Sequence, residues 1–196
     1  MKPKSRENVL TPQERERFLG AIEEDDEELA AKGLFFTGMR VSEFTHMKKD
    51  WIDWKEGLIH IPYKMKCSCY ECMAKKGSHK GYFICKTKQA ERPIPILPEV
   101  KEMFLMFFTK NESIMDSLYN RVHVWELVKK VGERAKIGHK VFPHSLRATF
   151  VTILIEKGMD DPVALTQIMG WKKLDMASEY VRLSGASLKR KLEGIW

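Results

Sequence analysis

Five residues scattered along the chain carry side chains that together could act on a phosphate: Arg40, His144, Arg147, Trp171 and Tyr180. They lie in the segments TGMRVSE, PHSLRATF and MGWKKLDMASEY. Two guanidinium groups and a ring donor could bind the non-bridging oxygens, because planar guanidinium groups match phosphate geometry. A tyrosine hydroxyl could then attack phosphorus as a nucleophile. The set therefore predicts a covalent phosphoryl-transfer site.

The sequence places these residues at predicted helix boundaries. A helix is predicted to begin at Pro143, so that His144 and Arg147 share a face where the helix dipole favours an anion. Taken alone, the pair could equally be a polar surface pair. Arg40 follows a predicted helix stop at Gly38. Glu43 lies three residues on and could hold the guanidinium, or form only a local ion pair worth about 0.3–0.5 kcal/mol.

Hydrophobic periodicity predicts a mostly helical chain. Thr11 and Glu14 form the pattern of a capping box at the start of the first helix. The further helices are predicted at about 27–36, near Arg40, and at about 98–109, 121–136, 144–157, 161–169, 173–181 and 186–192.

A small sheet is predicted in the first half of the chain. Apolar residues on both sides of Lys55-Glu56-Gly57 indicate a hairpin. A third strand over 92–97 carries Pro93 and Pro95, so it should lie at an edge. A cysteine- and lysine-rich stretch, residues 64–85, interrupts this pattern. The predicted fold is α+β, mainly α, with a small three-stranded antiparallel sheet.

The order and spacing of the motifs resemble the tyrosine recombinases, or phage integrase family. That family has Arg in a T-G-x-R turn, then His-x-x-Arg, then Gly-His or Gly-Trp, then Tyr nine positions later. Arg40, His144, Arg147, Trp171 and Tyr180 match these positions. The resemblance runs from about residue 10 to about 185 and implies a helical DNA breaking-rejoining catalytic domain. Leu-Arg-Ala-Thr with Met-Gly-Trp looks most like archaeal integrases, which points to an archaeal virus or plasmid.

The resemblance also implies a catalytic lysine on a turn before an Arg-x-Ile-Pro strand. Lys88 fits that turn better, and Lys86, two residues away on the same side of an extended strand, stays an alternative. Family members often have Asp where Ser145 stands and a second His where Ala148 stands. Trp171 replaces the commoner His, and its indole can donate a hydrogen bond but cannot transfer a proton.

The function implied is that of a site-specific DNA recombinase or integrase. Tyr180 would form a 3′-phosphotyrosyl bond, and neither a metal nor a nucleotide cofactor would be required. Two alternatives stay open: relaxation of DNA in the manner of a type IB topoisomerase, and a non-catalytic DNA-binding remnant. We expect residues 1–196 to be a single catalytic domain that lacks the family's N-terminal DNA-clamping domain.

The charge of the chain fits a nucleic-acid partner. The 196 residues carry 34 basic and 27 acidic side chains, for a net charge of +7. Residues 1–28 carry −4, so the remainder carries +11. Such a basic body favours double-stranded DNA, although a solvated basic surface would look the same. No apolar run approaches the roughly 18 residues of a membrane span. We therefore expect a soluble, cytoplasmic protein without a membrane partner.

Cysteines and lysines are concentrated in one insert. Cys67, Cys69, Cys72 and either Cys85 or His79 could hold a structural zinc ion tetrahedrally. The alternative is a lysine-rich loop with incidental thiols. Its lysines are candidates for contacts with the DNA backbone: Lys64, Lys66, Lys75, Lys76 and Lys80.

The segment after Tyr180 ends in apolar residues, including Leu188, Leu192, Ile195 and Trp196. Their spacing predicts docking either on the chain's own core or on a neighbour. Exchange of such tails between protomers is common in the family. We favour docking on a neighbour within a tetrameric synapse on DNA.

Overall fold

The computed structural model describes residues 5–184 and Glu193. Helices dominate, as predicted, and they lie mainly in the second half of the chain. The α-helices are α1 Pro12–Gly20, α2 Asp25–Thr37, α3 Val41–Thr45, α4 Tyr70–Met73, α5 Pro98–Lys110, α6 Met115–Leu118, α7 Arg121–Arg134, α8 Pro143–Glu156, α9 Pro162–Met169 and α10 Leu174–Ser184. The strands are β1 Ile52–Asp53, β2 Leu58–Ile61, β3 Lys64–Lys66, β4 Tyr82–Ile84 and β5 Arg92–Pro95.

The ends of the first two helices follow from local chemistry. The Thr11 hydroxyl accepts from the Glu14 N–H at 3.3 Å, and Glu14 Oε2 accepts from the Thr11 N–H at 2.9 Å. This confirms the predicted capping box, which satisfies N–H groups that the first turn leaves without partners. The second helix ends at Gly38, whose φ of 59° lies in the left-handed region.

The predicted three-stranded antiparallel sheet is present, in the order β1-β2-β5. Ile52 pairs with Ile59 across the predicted hairpin, and Ile59 pairs with Ile94 on the other side. β5 is an edge strand, as its prolines predicted. Arg92 and Ile94 point inward while Pro93 and Pro95 are exposed, so one face of β5 meets the core.

The insert between β2 and β5 has structure that the sequence did not predict. β3 and β4 form a second antiparallel hairpin, in which Lys64 pairs with Ile84 and Lys66 with Tyr82. The one-turn helix α4 lies between them. The helix α6 was also missed, because four residues give too little periodicity to recognise.

Helix α2 is central, with α7, α8 and α5 packed around it. Leu34, Phe44 and Phe104 are fully buried in the resulting core. α10 packs against α9 and α8, next to a smaller cluster that includes Phe150 and Trp171. The predicted helix near 186–192 lies outside the described residues. Within the part of the chain that the structure describes, no helix is long and apolar enough to cross a membrane.

Candidate active site

Arg40 lies where α2 turns into α3. Its backbone N–H donates to Glu43 Oε2 at 2.9 Å, and its Nη1 donates to Glu43 Oε1 at 2.6 Å. Its Nη2 donates to the carbonyl of Gly170 at 3.0 Å. The side chain therefore links the start of α3 to the turn after α9, which is 130 residues away in sequence.

Helix α8 supplies the next two predicted residues from its first turns. His144 is exposed and Arg147 is buried, with 7% of its surface accessible. Arg147 donates through Nη1 to Gly38 O at 2.5 Å and through Nη2 to Met169 O. These bonds use two of the five N–H groups of a guanidinium. The two carbonyls hold the Arg147 guanidinium group in place, and its remaining N–H groups could bind a phosphate.

The electrostatics of this region are those of an anion site. Burial, and after it the positive charge of Arg40, lowers the pKa of Arg147 to about 9, so it remains charged at neutral pH. Desolvation lowers the pKa of His144, and the charges of Arg147, Arg40 and Lys86 lower it further. The His144 ring is therefore neutral near pH 7. Three cationic side chains face this ring, as a bound phosphodiester would require.

A buried carboxylate holds the cations together. Burial by itself raises the pKa of Glu43, but the charges of Arg92, Arg40 and Arg147 outweigh it and keep the pKa below its usual value. Arg92 Nη2 donates to Glu43 Oε2 at 3.1 Å. Sequence reasoning missed Arg92. The signal was a strand whose arginine shares the inward face with Ile94, a position where an unpaired charge would be costly.

Arg92 also fixes the turn that follows α9. Its Nε donates to Ile168 O at 2.6 Å and its Nη1 donates to Ala90 O at 2.7 Å. Gly170 ends α9 with φ 58°, and a Cβ there would lie 2.9 Å from Arg92 Nη1. The turn thus brings Arg40, Arg92 and Arg147 to three successive carbonyls, those of residues 168–170.

The turn leads directly into the predicted nucleophile segment. Trp171 is buried, and its ring stacks on Tyr180 with centroids 5.5 Å apart and an interplanar angle of 13°. Tyr180 is half-buried on α10 and interacts electrostatically with Arg147. Trp171 therefore packs within the fold, and stacking restricts where the Tyr180 hydroxyl can point.

The two candidate lysines occupy different surroundings. Lys86 follows β4 and contributes to the lowered pKa of His144. Lys88, which is exposed like Lys86, begins a short 3-10 turn, Lys88–Ala90. Of the lysines predicted to contact DNA, Lys64, Lys66, Lys76 and Lys80 are exposed. Lys75 is half-buried and donates to Tyr82 O at 2.8 Å.

The predicted metal ligands need a correction. Cys67, Cys69 and Cys72 do come together, but the fourth member of the group is His46. Cys85 lies outside it, because its thiol is directed to the carbonyl of Pro62 at 3.4 Å. His79 also lies outside, on an exposed 3-10 turn. His46 could not be recognised as a ligand from the sequence, because it lies 26 residues before Cys72 on another element.

Comparison with known proteins gives a consistent result. The sequence profile of the phage integrase family matches residues 8–186. The chain is 26% identical to the tyrosine recombinase XerA of Pyrococcus furiosus, over 97% of this chain and 63% of that protein. It is 29% identical to XerA of Thermococcus kodakarensis, over 97% and 64% respectively.

Solved structures share the fold. A crystal structure of XerA recombinase superposes with a TM-score of 0.70 at 19% identity, covering 95% of this chain and 62% of that one. The Tn1549 transposon integrase in complex with transposon right end DNA gives 0.69 at 22% identity, over 88% and 60%. The chain spans just under two thirds of the length of the relatives that it matches. Because the profile match covers nearly the full sequence and includes every residue of the site, this chain belongs to the phage integrase family.

Proposed function

We propose that residues 1–196 form one catalytic domain of a tyrosine-type site-specific DNA recombinase or integrase. It would cleave duplex DNA and rejoin it through a 3′-phosphotyrosyl intermediate. The observation that carries this proposal is the turn at 168–170, where Arg40 and Arg147 meet beside a tyrosine stacked on Trp171. Family membership and the XerA relatives support the same reaction.

In the first step, Tyr180 Oη attacks the scissile phosphorus. An O–P bond forms to the 3′-phosphate, the bond from phosphorus to the 5′ oxygen breaks, and that oxygen leaves with a proton as a 5′-hydroxyl. Neutral His144 accepts the tyrosine proton. Arg40 and Arg147 bind the non-bridging oxygens as charge grows on them, where a well-placed donor is worth roughly 3–4 kcal/mol. The indole N–H of Trp171 is proposed as a further donor.

The proton for the leaving oxygen comes from Lys86 in this proposal. Both lysines are exposed, but the charge of Lys86 contributes to the lowered pKa of His144. This electrostatic contribution is the reason for proposing Lys86 in place of Lys88, which the sequence-based prediction preferred. Glu43 and Arg92 would be positioning residues, since they contact Arg40 and the turn rather than the reacting atoms.

The covalent intermediate conserves the energy of the phosphodiester, so religation needs no metal ion and no nucleotide cofactor. The exposed lysines of the β3–β4 insert are proposed to contact the DNA backbone. Double-stranded DNA is the proposed partner and the cytoplasm the proposed location, and the similar Tn1549 transposon integrase in complex with transposon right end DNA supports the partner. We further propose a tetrameric synapse that uses the C-terminal tail, whose apolar residues lie outside the described part of the chain.

The nucleophile is tested on nicked suicide DNA, on which the short fragment that bears the new 5′-hydroxyl diffuses away and the covalent complex accumulates. The wild-type chain should give a protein–DNA adduct that resists denaturation, and Tyr180→Phe should give none. Tyr70→Phe is the matched control, because Tyr70 is 89% exposed and lies in the insert. An adduct with Tyr180→Phe, or none with the wild type, would overturn the assignment and leave a DNA-binding remnant.

The type IB topoisomerase alternative is tested on closed circular DNA. A recombinase should exchange strands between two paired sites and relax supercoils only weakly. Efficient relaxation of supercoils without strand exchange would favour the alternative.

The general acid is tested with a substrate whose 5′ leaving oxygen is replaced by sulfur, since a thiolate leaves without being protonated. Lys86→Ala should slow cleavage of the all-oxygen substrate by about 10²–10⁴-fold. It should leave cleavage of the sulfur substrate near the wild-type rate. Lys88→Ala is the matched control and should affect neither. The reverse pattern would assign the role to Lys88.

A further inference from the structure

Three cysteines and a histidine converge at the edge of the β3–β4 insert, away from the site described above. His46 Nε2 lies 3.5 Å from Cys69 Sγ and 3.4 Å from Cys72 Sγ. Cys67 Sγ is the fourth ligand atom of the group, and all four atoms lie within 4.8 Å of one another. Two of the residues, His46 and Cys72, are buried.

The two S···N distances match edges of a metal tetrahedron. With Zn–S about 2.3 Å and Zn–N about 2.0 Å, tetrahedral angles place sulfur about 3.5 Å from nitrogen and about 3.8 Å from another sulfur. Both measured S···N distances agree with that edge. Three thiols and one imidazole also form one of the ligand sets typical of structural zinc.

The histidine is held in the orientation that a metal ligand needs. Its Nδ1 lies 2.8 Å from the carbonyl of Ser42, which can only accept, so Nδ1 carries the proton. The lone pair of Nε2 is therefore directed at the thiols. Stacking on Phe83, with centroids 4.5 Å apart, fixes the ring plane.

The backbone around the cysteines suits thiolates. The Cys69 N–H donates to Cys67 Sγ at 3.5 Å, and the Cys72 N–H donates to Cys69 Sγ at 3.4 Å. Such N–H groups stabilise negative charge on sulfur. Short loops and a single turn of helix, α4, carry all three thiols.

We propose that His46, Cys67, Cys69 and Cys72 bind one Zn²⁺ ion as a structural site. The ion would join the β3–β4 insert to the C-terminal end of α3, of which His46 is the cap. α3 begins at Arg40, and β4 leads through Cys85 to Lys86. The metal would therefore hold the loop of the proposed general acid against the helix of a phosphate-binding arginine.

Metal content tests the site independently of any DNA chemistry. Protein purified without chelator should hold about one equivalent of zinc per chain. His46→Gln and Cys72→Ser should each retain less than about a tenth of an equivalent. Cys85→Ser and His79→Gln are the matched controls, a buried cysteine and an exposed histidine outside the group, and should bind zinc as the wild type does.

Cobalt substitution gives a readout that does not depend on a variant folding. The Co²⁺ form of the wild-type chain should show the intense visible bands of a tetrahedral site together with sulfur-to-metal charge transfer. Wild-type protein without zinc and with a disulfide among these cysteines, seen as a mass lower by about two hydrogens, would overturn the proposal. Equal loss of zinc in the Cys85 and His79 controls would do so as well.

The link to Lys86 rests on the proposed function and has its own test. Removal of zinc should slow cleavage of the all-oxygen substrate at least about tenfold, and adding zinc back should restore the rate. Cleavage of the 5′-sulfur substrate should change little. If the ligand variants lose zinc as expected but zinc removal slows cleavage of both substrates equally, the metal site stands and its action through Lys86 is wrong.

Discussion

Glu43 is the side chain on which the other charges of the site depend. It is 1% exposed and contacts Arg40 at 2.6 Å and Arg92 at 3.1 Å. A buried carboxylate is costly unless it is paired, and two guanidinium groups pair with this one. The pairing fixes where both guanidinium groups point. Arg40 can therefore meet a phosphate without first losing side-chain entropy.

Glu43→Gln tests this arrangement, because glutamine keeps the shape and removes the charge. Three arginines would then repel one another without a nearby anion. We expect the free energy of unfolding to fall by about 3 kcal/mol and single-turnover cleavage to fall about 10²-fold. Denaturant unfolding and adduct formation measure the two effects.

Glu112→Gln is the control for that substitution, since the Glu112 side chain is 83% exposed and makes only a surface ion pair. It should change neither quantity measurably. A Glu43→Gln protein with normal stability and normal cleavage would show that the carboxylate neither positions Arg40 nor offsets the buried charges.

His144 sets the expected pH dependence of cleavage. Its pKa is lowered from the ordinary value of 6.5 by desolvation and by Arg147, Arg40 and Lys86. Only the neutral ring can accept the proton of Tyr180. The rate should therefore hold constant as pH falls through 6.5 and drop only at lower pH. Single-turnover rates at constant salt should show this acid limb.

In His144→Gln the acid limb should disappear, while His79→Gln, an exposed histidine, should keep it. An acid limb that persists unchanged in His144→Gln would exclude the ring as the proton acceptor. The same shift bears on stability. Because the unfolded state takes up the proton more readily, this group reduces the free energy of unfolding as pH falls from 6.5 through the lowered pKa.

Among the secondary structure elements, the longer helices were predictable, whereas the one-turn helix α6 and the insert were not. The start of α8 at Pro143 and the stops at Gly38 and Gly170 follow from proline, glycine and apolar spacing, which act locally. The pairing of β3 with β4 does not, because a three-residue strand depends on its partner rather than on its own pattern. His46 joined the cysteines for the same reason: the contact exists only after α3 and the insert pack together.

The choice between Lys86 and Lys88 shows where sequence reasoning ends. Both lysines lie between β4 and β5, and either could occupy a turn. Which of the two comes nearer to His144 depends on where β4 ends and where the 3-10 turn begins. The boundaries of such elements are the least reliable part of a sequence-based assignment. Arg92 was overlooked because its role requires a carbonyl from residue 168. The motif residues themselves were recognised through their order along the chain.

The turn at Gly170 gives a prediction for an element rather than for a charge. Gly170→Ala would place a methyl group 2.9 Å from Arg92 Nη1 and 3.0 Å from the Ala90 backbone, in a left-handed conformation. The conformation alone costs about 1 kcal/mol. Because the turn must also move away from Arg92 and Arg40, we expect a larger loss of stability, about 2 kcal/mol, together with a marked loss of cleavage.

Gly57→Ala is the matched control. Gly57 also has a positive φ, 66°, but a Cβ there would meet nothing within 4 Å. Gly57→Ala should lower the free energy of unfolding only by the cost of the left-handed conformation and should leave cleavage unchanged. Equal effects of the two substitutions on unfolding and on adduct formation would show that the contact between Gly170 and Arg92 does not matter.

Over the described part of the chain, acidic side chains near the N-terminus form ion pairs within the fold, whereas many exposed lysines lie in the insert. The acidic N-terminal segment is partly neutralised within the fold, because Glu27 pairs with Arg134 at 2.7 Å and Glu24 pairs with Lys130 at 2.9 Å. Hydrogen bonds to Glu27 from Arg134, which has the largest effect, from Lys130 and from the Glu23 backbone lower the pKa of Glu27 to about 2. The excess of positive charge therefore lies elsewhere, and much of it is on the exposed lysines of the insert.

This distribution predicts how DNA binding depends on salt. Each lysine that contacts a phosphate releases counterions, so log K falls with log salt by about 0.9 per contact. Replacing Lys66, Lys76 and Lys80 with glutamine should make the slope shallower by about 2–3 and weaken binding to all sequences alike. Fluorescence anisotropy over a range of salt concentrations measures the slope.

The matched control removes the same charge elsewhere, from Lys55, Lys101 and Lys110, which are all exposed. If the insert binds the backbone directly, the control should lower affinity only slightly and leave the slope nearly intact, because unpaired surface charges act weakly beyond a Debye length of about 10 Å. If both triple variants change the slope equally, net charge rather than a local contact attracts the DNA. The insert would then serve only to carry Lys86 and its metal.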